Sequence, residues 1–170
     1  MSETTQPLKT ELPAIRPLLS EDRAAILAFL PETNMFSAAE LEVAKELIDI
    51  WLDKPEQKDY IIYCAELAGE TAGYVCIGPT PATQATYDLY WIAVAPRLQG
   101  GGIGGRLLQF AEKEIASRGG RLVIIETSST QRYRPTQGFY EKHGYIIEAR
   151  IRDFYRTGDD RLIYTKRLEA

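Results

Sequence analysis

This 170-residue chain is poor in the residues that build metal or thiol centres: one histidine, His143, and two cysteines, Cys64 and Cys76. That set cannot fill a four-ligand zinc site, and no metal is expected. No apolar run reaches the about 18 residues that a membrane span requires, so no membrane partner is expected. Lys and Arg number 20 against 24 Asp and Glu, a net charge of -4, so the chain lacks the basic excess of a general nucleic-acid binder. The opening MSETTQPLKTELP has no signal-peptide apolar core. The expected compartment is the cytoplasm, where thiols stay reduced. Cys64 and Cys76 flank a turn at Ala68-Gly69-Glu70 and are expected nearly opposite one another, as reduced packing residues. A cross-strand disulfide is the open alternative.

What is present is globular: 45% hydrophobic and 26% charged residues leave no room for a disorder reading. The length fits a single domain over 13–170, preceded by a flexible tail over 1–12. AIRPL (14–18) reads as an edge strand, because Pro17 has no N–H to give a central ladder. SEDRAAILAFL follows as a helix with Ser20 as its capping hydroxyl. A second helix runs from about Ser37 to Leu52, opened by a Ser37/Glu40 capping box. Beyond it the period changes. YIIYCAEL and TAGYVCIG read as a hairpin, and ATYDLYWIAVA as a long strand.

A helix over about 104–118 then places Leu107, Ala111 and Ile115 on one face. RLVIIET (121–127) is apolar enough for a strand covered on both faces. A short helix from Thr136 to His143 stops at Gly144, and YIIEARI and DRLIYTKRL close as two strands. The expected fold class is α/β (α+β): a mostly antiparallel sheet of about seven strands flanked by about four helices. The element order is β-α-α-β-β-β-α-β-α-β-β.

Within this order RLQGGGIGGRLLQF packs five glycines into positions 100–105, ahead of a helix. Glycine carries the largest ordering cost of any residue, so packing alone does not explain them. Gly100, Gly102 and Gly105 satisfy a dinucleotide-type G-x-G-x-x-G, with Glu126 about 20 residues on. That motif follows its strand directly, whereas five residues (95–99) intervene here, and repeated parallel β-α-β units are missing. A Walker loop fails too, because Arg106-Leu107 replaces the required lysine and hydroxyl. The physical core of both survives: glycine amides at a helix N-terminus form an anion cradle. Arg97 and Arg106 bracket it with positive charge.

VAPRLQGGGIGGRLL resembles the acyl-CoA loop of the GNAT family of N-acetyltransferases, whose pattern is Gln/Arg-x-x-Gly-x-Gly/Ala. Gln99, Gly102 and Gly104 fill its defined positions. GFYEKHGYIIEARI resembles the family's second signature, Phe-Tyr-Glu-Lys-x-Gly-Phe/Tyr, and the element order matches over nearly the whole chain.

The resemblance implies acetyl-CoA as cosubstrate, with its pyrophosphate on Leu98, Gln99, Gly100, Gly101, Gly102, Ile103, Gly104 and Gly105. It places the pantetheine arm on the backbone of Ile92, Ala93 and Val94, with the Val94 N–H as oxyanion donor. Tyr140 takes the family's tyrosine position, there the general acid that protonates the coenzyme A thiolate, with Phe139 beside it. Asp88 lies eleven residues before Gln99, where some protein-lysine acetylating members carry a catalytic glutamate. Glu126 is the other candidate base, directly or through water, and both carboxylates also fit ordinary strand positions.

One departure is clear. Tyr133-Arg134-Pro135-Thr136 stands where the family often has Asn-x-x-Ala, so the asparagine contact to coenzyme A does not carry over. Thr136 or the hydroxyls of Thr127, Ser128 and Ser129 are the substitutes. His143 is read as a helix-terminal residue rather than a catalyst, and Asp153, Asp159 and Asp160 as turn residues.

The expected activity is direct acetyl transfer from acetyl-CoA to a primary amine of a small molecule or amino acid. Acetylation of a protein lysine or N-terminus, and a non-catalytic acyl-CoA-binding module, are the alternatives. A homodimer is compatible with all of this.

Overall fold

The computed structural model describes residues 11–169. The expected tail lies outside them up to residue 10. The chain runs β1 (Ala14–Pro17), α1 (Asp22–Glu32), α2 (Ala38–Asp53), β2 (Ile61–Leu67), β3 (Glu70–Pro79) and β4 (Thr86–Val94). After a 3-10 turn come α3 (Ile103–Ser117) and β5 (Leu122–Ser128). A second 3-10 turn leads to α4 (Arg134–Lys142), β6 (Ile146–Arg156) and β7 (Asp159–Arg167). This is the α/β order read from the sequence, and boundaries differ by a few residues. The exception is β6, which continues past Ile151 through Asp-Phe-Tyr-Arg by means of bulges. Among the described residues no helix is long and apolar enough to cross a membrane.

Local chemistry sets most of these elements. Ala68 and Gly69 both take positive φ (52° and 78°), the backbone of a two-residue hairpin turn between β2 and β3. Ser37 caps α2 reciprocally: its hydroxyl accepts the Glu40 N–H at 3.2 Å, and the Glu40 carboxylate accepts the Ser37 N–H at 2.7 Å. Ser20 does not cap α1. The N-cap there is Glu21, itself helical and without a side-chain bond. The buried Asp22 carboxylate instead fixes the entry to α1, accepting the Leu19 N–H ahead of the helix at 2.9 Å and the Thr71 hydroxyl at 2.8 Å. Arg16 clamps the same carboxylate at 2.7 and 3.0 Å while its Nε reaches Glu66, tying α1 to β1, β2 and β3. Burial alone would raise the Asp22 carboxyl, but these donors outweigh it and hold it down at about 2.

The seven strands form one sheet in the order β1-β2-β3-β4-β5-β7-β6. Every neighbouring pair is antiparallel except β4 and β5, which α3 connects as a parallel crossover. α1 and α2 cover one face through Ile26, Leu30, Leu47 and Ile48 against Ile62, Cys64, Tyr74 and Cys76. α3 and α4 cover the other through Leu107, Leu108, Ile115 and Tyr140 against Val75, Leu89, Val123 and Ile125. Leu107, Ala111 and Ile115 are fully buried, as their four-residue spacing predicts. Each large aliphatic side chain buried in this way contributes about 1.5–3 kcal/mol. Cys64 opposes Tyr74 and Cys76 opposes Ile62, so the cysteines sit one diagonal step apart rather than opposite. Both are free and buried.

Candidate active site

Parallel pairing between β4 and β5 covers only Thr86–Asp88 against Leu122–Ile124. Beyond Asp88 the strands part, while β4 keeps its partner β3 as far as Val94 opposite Gly73. A bulge at Tyr90, where Cys76 pairs with Trp91 and Ile77 with Leu89, starts the divergence. Ala95 donates to Ala72 at 2.8 Å. Antiparallel alternation therefore turns the Ala93 N–H toward β3 and those of Ile92 and Val94 toward the gap. The Val94 carbonyl, on the same open edge, accepts the Gln99 side-chain amide at 3.1 Å. Gln99 thus pins the start of the glycine stretch to the open edge.

The glycines do two different things. Gly100 and Gly102 have φ of 81° and 82°, and a Cβ on either would meet nothing within 4 Å. Their need is a left-handed backbone beside open space, as a ligand cradle requires. Gly104 and Gly105 sit in the first turn of α3, where a Cβ would stand 3.5 Å from the Phe139 ring and 3.0 Å from His143 Nε2. These two let α4 approach the mouth of α3. Among the described residues the N–H groups of Gly100, Gly101, Gly102, Ile103, Gly104 and Gly105 find no protein acceptor. The N–H groups of Leu98 and Gln99 turn inward, to Ala95 and Pro96. The free donors therefore begin at Gly100, two residues after Leu98, and run to Gly105. The residues fit an anion there: six open donors, the positive end of a 15-residue helix, and unfilled space. Of the flanking arginines, Arg106 is exposed, whereas Arg97 is paired with Glu70 on the β2–β3 hairpin.

Tyr140 projects from α4 into the core on the α3 side, packed on Tyr145 and Tyr164 at 5.9 and 6.0 Å. Burial pushes its phenol well above the usual value. Phe139 packs on His143, and His143 Nδ1 lies 2.7 Å from the Phe139 carbonyl, in keeping with a helix-terminal role. Pro135 occupies the first turn of α4, where its missing N–H costs nothing, and Thr136 lies beside it, half-buried.

Asp88 and Glu126 point to the opposite face. Val123 and Ile125 are buried under α3, so Ile124, Glu126 and the laterally adjacent Asp88 face away. Asp88 accepts the Thr80 hydroxyl at 2.6 Å. Glu126 is paired with Arg161 of β7, whose guanidinium also lies 4.5 Å over the Phe154 ring. Asp159 and Asp160 are buried rather than simple turn residues: Asp159 holds the Ser128 hydroxyl, and Asp160 holds Arg150 and the Asp153 N–H. Four aromatic side chains to which the sequence assigned no role in the site also gather on this side. Phe36 stacks on Trp91 at 4.7 Å, the Tyr133 hydroxyl donates to the Met35 carbonyl at 2.8 Å, and Tyr155 lies near Asp159 and Glu40.

The comparisons agree with this geometry. The sequence model of the Acetyltransferase (GNAT) domain matches residues 58–147, which span the open β4 edge, the glycine loop and α4. A GNAT-family acetyltransferase structure from Desulfovibrio desulfuricans superposes with a TM-score of 0.85 at 42% identity, covering 91% of this chain and 98% of that one. An aminoglycoside 6'-N-acetyltransferase complexed with coenzyme A shares the fold at 20% identity and a TM-score of 0.72, over 92% and 98% of the two chains. An uncharacterised N-acetyltransferase of Bacillus subtilis, YhfO, is 28% identical over 136 residues, 77% of this chain and 88% of its own length. With glycine loop, split sheet and tyrosine helix in one continuous match, the chain belongs to the GNAT family and is an acetyltransferase.

Proposed function

We propose that residues 13–170 act as one cytoplasmic domain that transfers acetyl from acetyl-CoA to a primary amine of a small molecule or amino acid. The observation that carries this reading is the open β4 edge running into the six unpaired N–H groups of residues 100–105, which lead into α3. A linear cosubstrate with an anionic end and an amide-bearing arm suits both. When bound, acetyl-CoA supplies an activated thioester. The N–H groups of residues 100–105 hold the pyrophosphate, and the Ile92 and Val94 backbone aligns the arm, as a neighbouring strand would be aligned. Of the two open N–H groups, that of Ile92 lies farther from the glycine loop, at the end of the arm, so it is the donor for the thioester oxygen, and that of Val94, the residue chosen from the sequence, pairs with the arm.

Tyr140 stands on one side of the split sheet and the two carboxylates on the other, so donor and acceptor meet through the gap. Asp88 is the freer carboxylate, because its partner is a neutral hydroxyl whereas Glu126 is engaged by a guanidinium. It takes the ammonium proton, directly or through water. The Tyr140 phenol is protonated at neutral pH, burial holds it more firmly so, and in the transition state it gives its proton to the departing thiolate. On the acceptor side, after burial, Glu40 and Asp159 raise the Tyr133 phenol against Arg132, and both also raise that of Tyr155. Carboxylates beside the gap, Asp88 foremost because its partner is a neutral hydroxyl, suit a cationic amine.

Thiol release from acetyl-CoA, followed across a panel of small amines, tests this. At least one small amine is expected to give turnover, and Tyr140→Phe is expected to lower kcat about 10²-fold or more. Full turnover in Tyr140→Phe would remove the phenol from the mechanism.

A further inference from the structure

The connection between α1 and α2 crosses the split in the sheet. Met35 and Phe36 are adjacent, their Cα atoms about 3.8 Å apart, yet they touch opposite walls. Phe36 stacks on Trp91 of β4 with ring centroids 4.7 Å apart and planes at 35°. The Met35 carbonyl accepts the hydroxyl of Tyr133, which follows the C-terminal end of β5, at 2.8 Å. Because β4 and β5 run parallel, these contacts lie on the same, open side of the seam at Asp88. The strap is braced at both ends. Thr33 Oγ1 donates to the Leu30 carbonyl at 2.7 Å and accepts the Met35 N–H at 3.3 Å, and the Ser37 capping box follows.

A chain laid along the open edge from the glycine loop passes Val94 and then Ile92. The next side chain is Trp91, which belongs to the α1/α2 core rather than the α3/α4 core. Its ring is stacked on Phe36 and presents a flat aromatic face. We propose that Met35 and Phe36, clamped between Trp91 and Tyr133, form an end wall that restricts the transferred acyl group to a short one. Phe36 is the specificity-determining residue. This rests on the acyl-CoA reading of the β4 edge. It adds a determinant of donor selectivity that the glycine loop cannot supply, since the loop sees only the end shared by every acyl-CoA.

Apolar pockets discriminate single methylenes by about 10- to 200-fold. The test is calorimetric binding of acetyl-CoA and butyryl-CoA, without acceptor, to the wild type, Phe36→Ala and Tyr133→Phe. The wild type is expected to prefer acetyl-CoA by about tenfold or more. The preference falls below about threefold in Phe36→Ala, and Tyr133→Phe, which only frees the Met35 carbonyl, lies between. A ratio unchanged in Phe36→Ala, even with both affinities lowered, overturns the proposal, as does a wild type that binds the two donors equally. Should Phe36→Ala not fold, Phe36→Leu decides the same ratio with a shorter plug. A wild type that binds neither donor overturns the acyl-CoA reading itself, which is a separate result.

Discussion

Substituting alanine at Gly102 and at Gly104 should move stability in opposite directions, two residues apart. Gly102 holds φ of 82° at the cap of α3, and a Cβ there would meet nothing within 4 Å. No clash contributes, so the loss is the left-handed strain of an L-residue, about 1–2 kcal/mol. In a domain of this size that lowers Tm by about 2–8 °C. Gly104 lies inside α3 with ordinary contacts at 3.5 Å to Phe139 and 3.7 Å to Val94. Alanine there regains helix propensity worth roughly 0.5–1 kcal/mol, or about 1–4 °C. Calorimetric melts of both single variants and the double mutant measure the two terms. Acetyl-CoA titration adds a further readout: Gly102→Ala weakens binding, because the turn that aims the 100–105 donors relaxes. A Gly102→Ala protein as stable as wild type would show that the turn is not held in this conformation. A drop of several degrees in Gly104→Ala would show that α4 packs more tightly on α3 than described.

Two further outcomes follow from buried ionisable groups. Burial pushes both cysteine thiols up to about 12, with Asp22 adding to the effect at Cys64. A disulfide-exchange reagent at neutral pH should modify neither thiol in the native protein and both in urea; rapid native labelling would mean that the β2–β3 layer opens. The Asp22 carboxyl, at about 2 in the fold against 3.8 as its ordinary value, contributes about 2 kcal/mol that is fully present above about pH 4. That stability is lost as pH falls toward 2. Urea melts from pH 6 to 2 should show this loss in the wild type and not in Asp22→Asn, and parallel curves would refute the linkage.

The element order was legible because its signals are local. The Ser37 capping box, the Ala68-Gly69 turn and the Leu107-Ala111-Ile115 stripe each act within a few residues. The glycine stretch was legible in kind but not in detail. Sequence does not separate Gly100 and Gly102, which need positive φ, from Gly104 and Gly105, which admit a neighbouring helix. Ser20 misled because a capping hydroxyl competes with any carboxylate that tertiary structure delivers, and Arg16 and Thr71 deliver Asp22. The pairing of Glu126 with Arg161 depends on β5–β7 register, and the Met35–Tyr133 bond joins residues 98 apart. No pattern of spacing encodes such contacts. The expected geometry of Ile92 and Val94 came from family resemblance, whereas the register that exposes their N–H groups had to be seen.

An unpaired strand edge is ordinarily a hazard, since its row of donors and acceptors invites another polypeptide and hence aggregation. Here the missing ladder lies in the middle of the sheet. It is closed at one end by three parallel pairs and flanked by Phe139 against Val94 and Gly104. A foreign β-strand, with side chains alternating to both faces, would have to displace the α1/α2 and α3/α4 layers that cover the sheet. A slender chain with amides and no side branches would not. By carrying its sticky edge as an internal slot rather than on its perimeter, the molecule keeps strand-pairing chemistry available to a ligand and withholds it from other proteins.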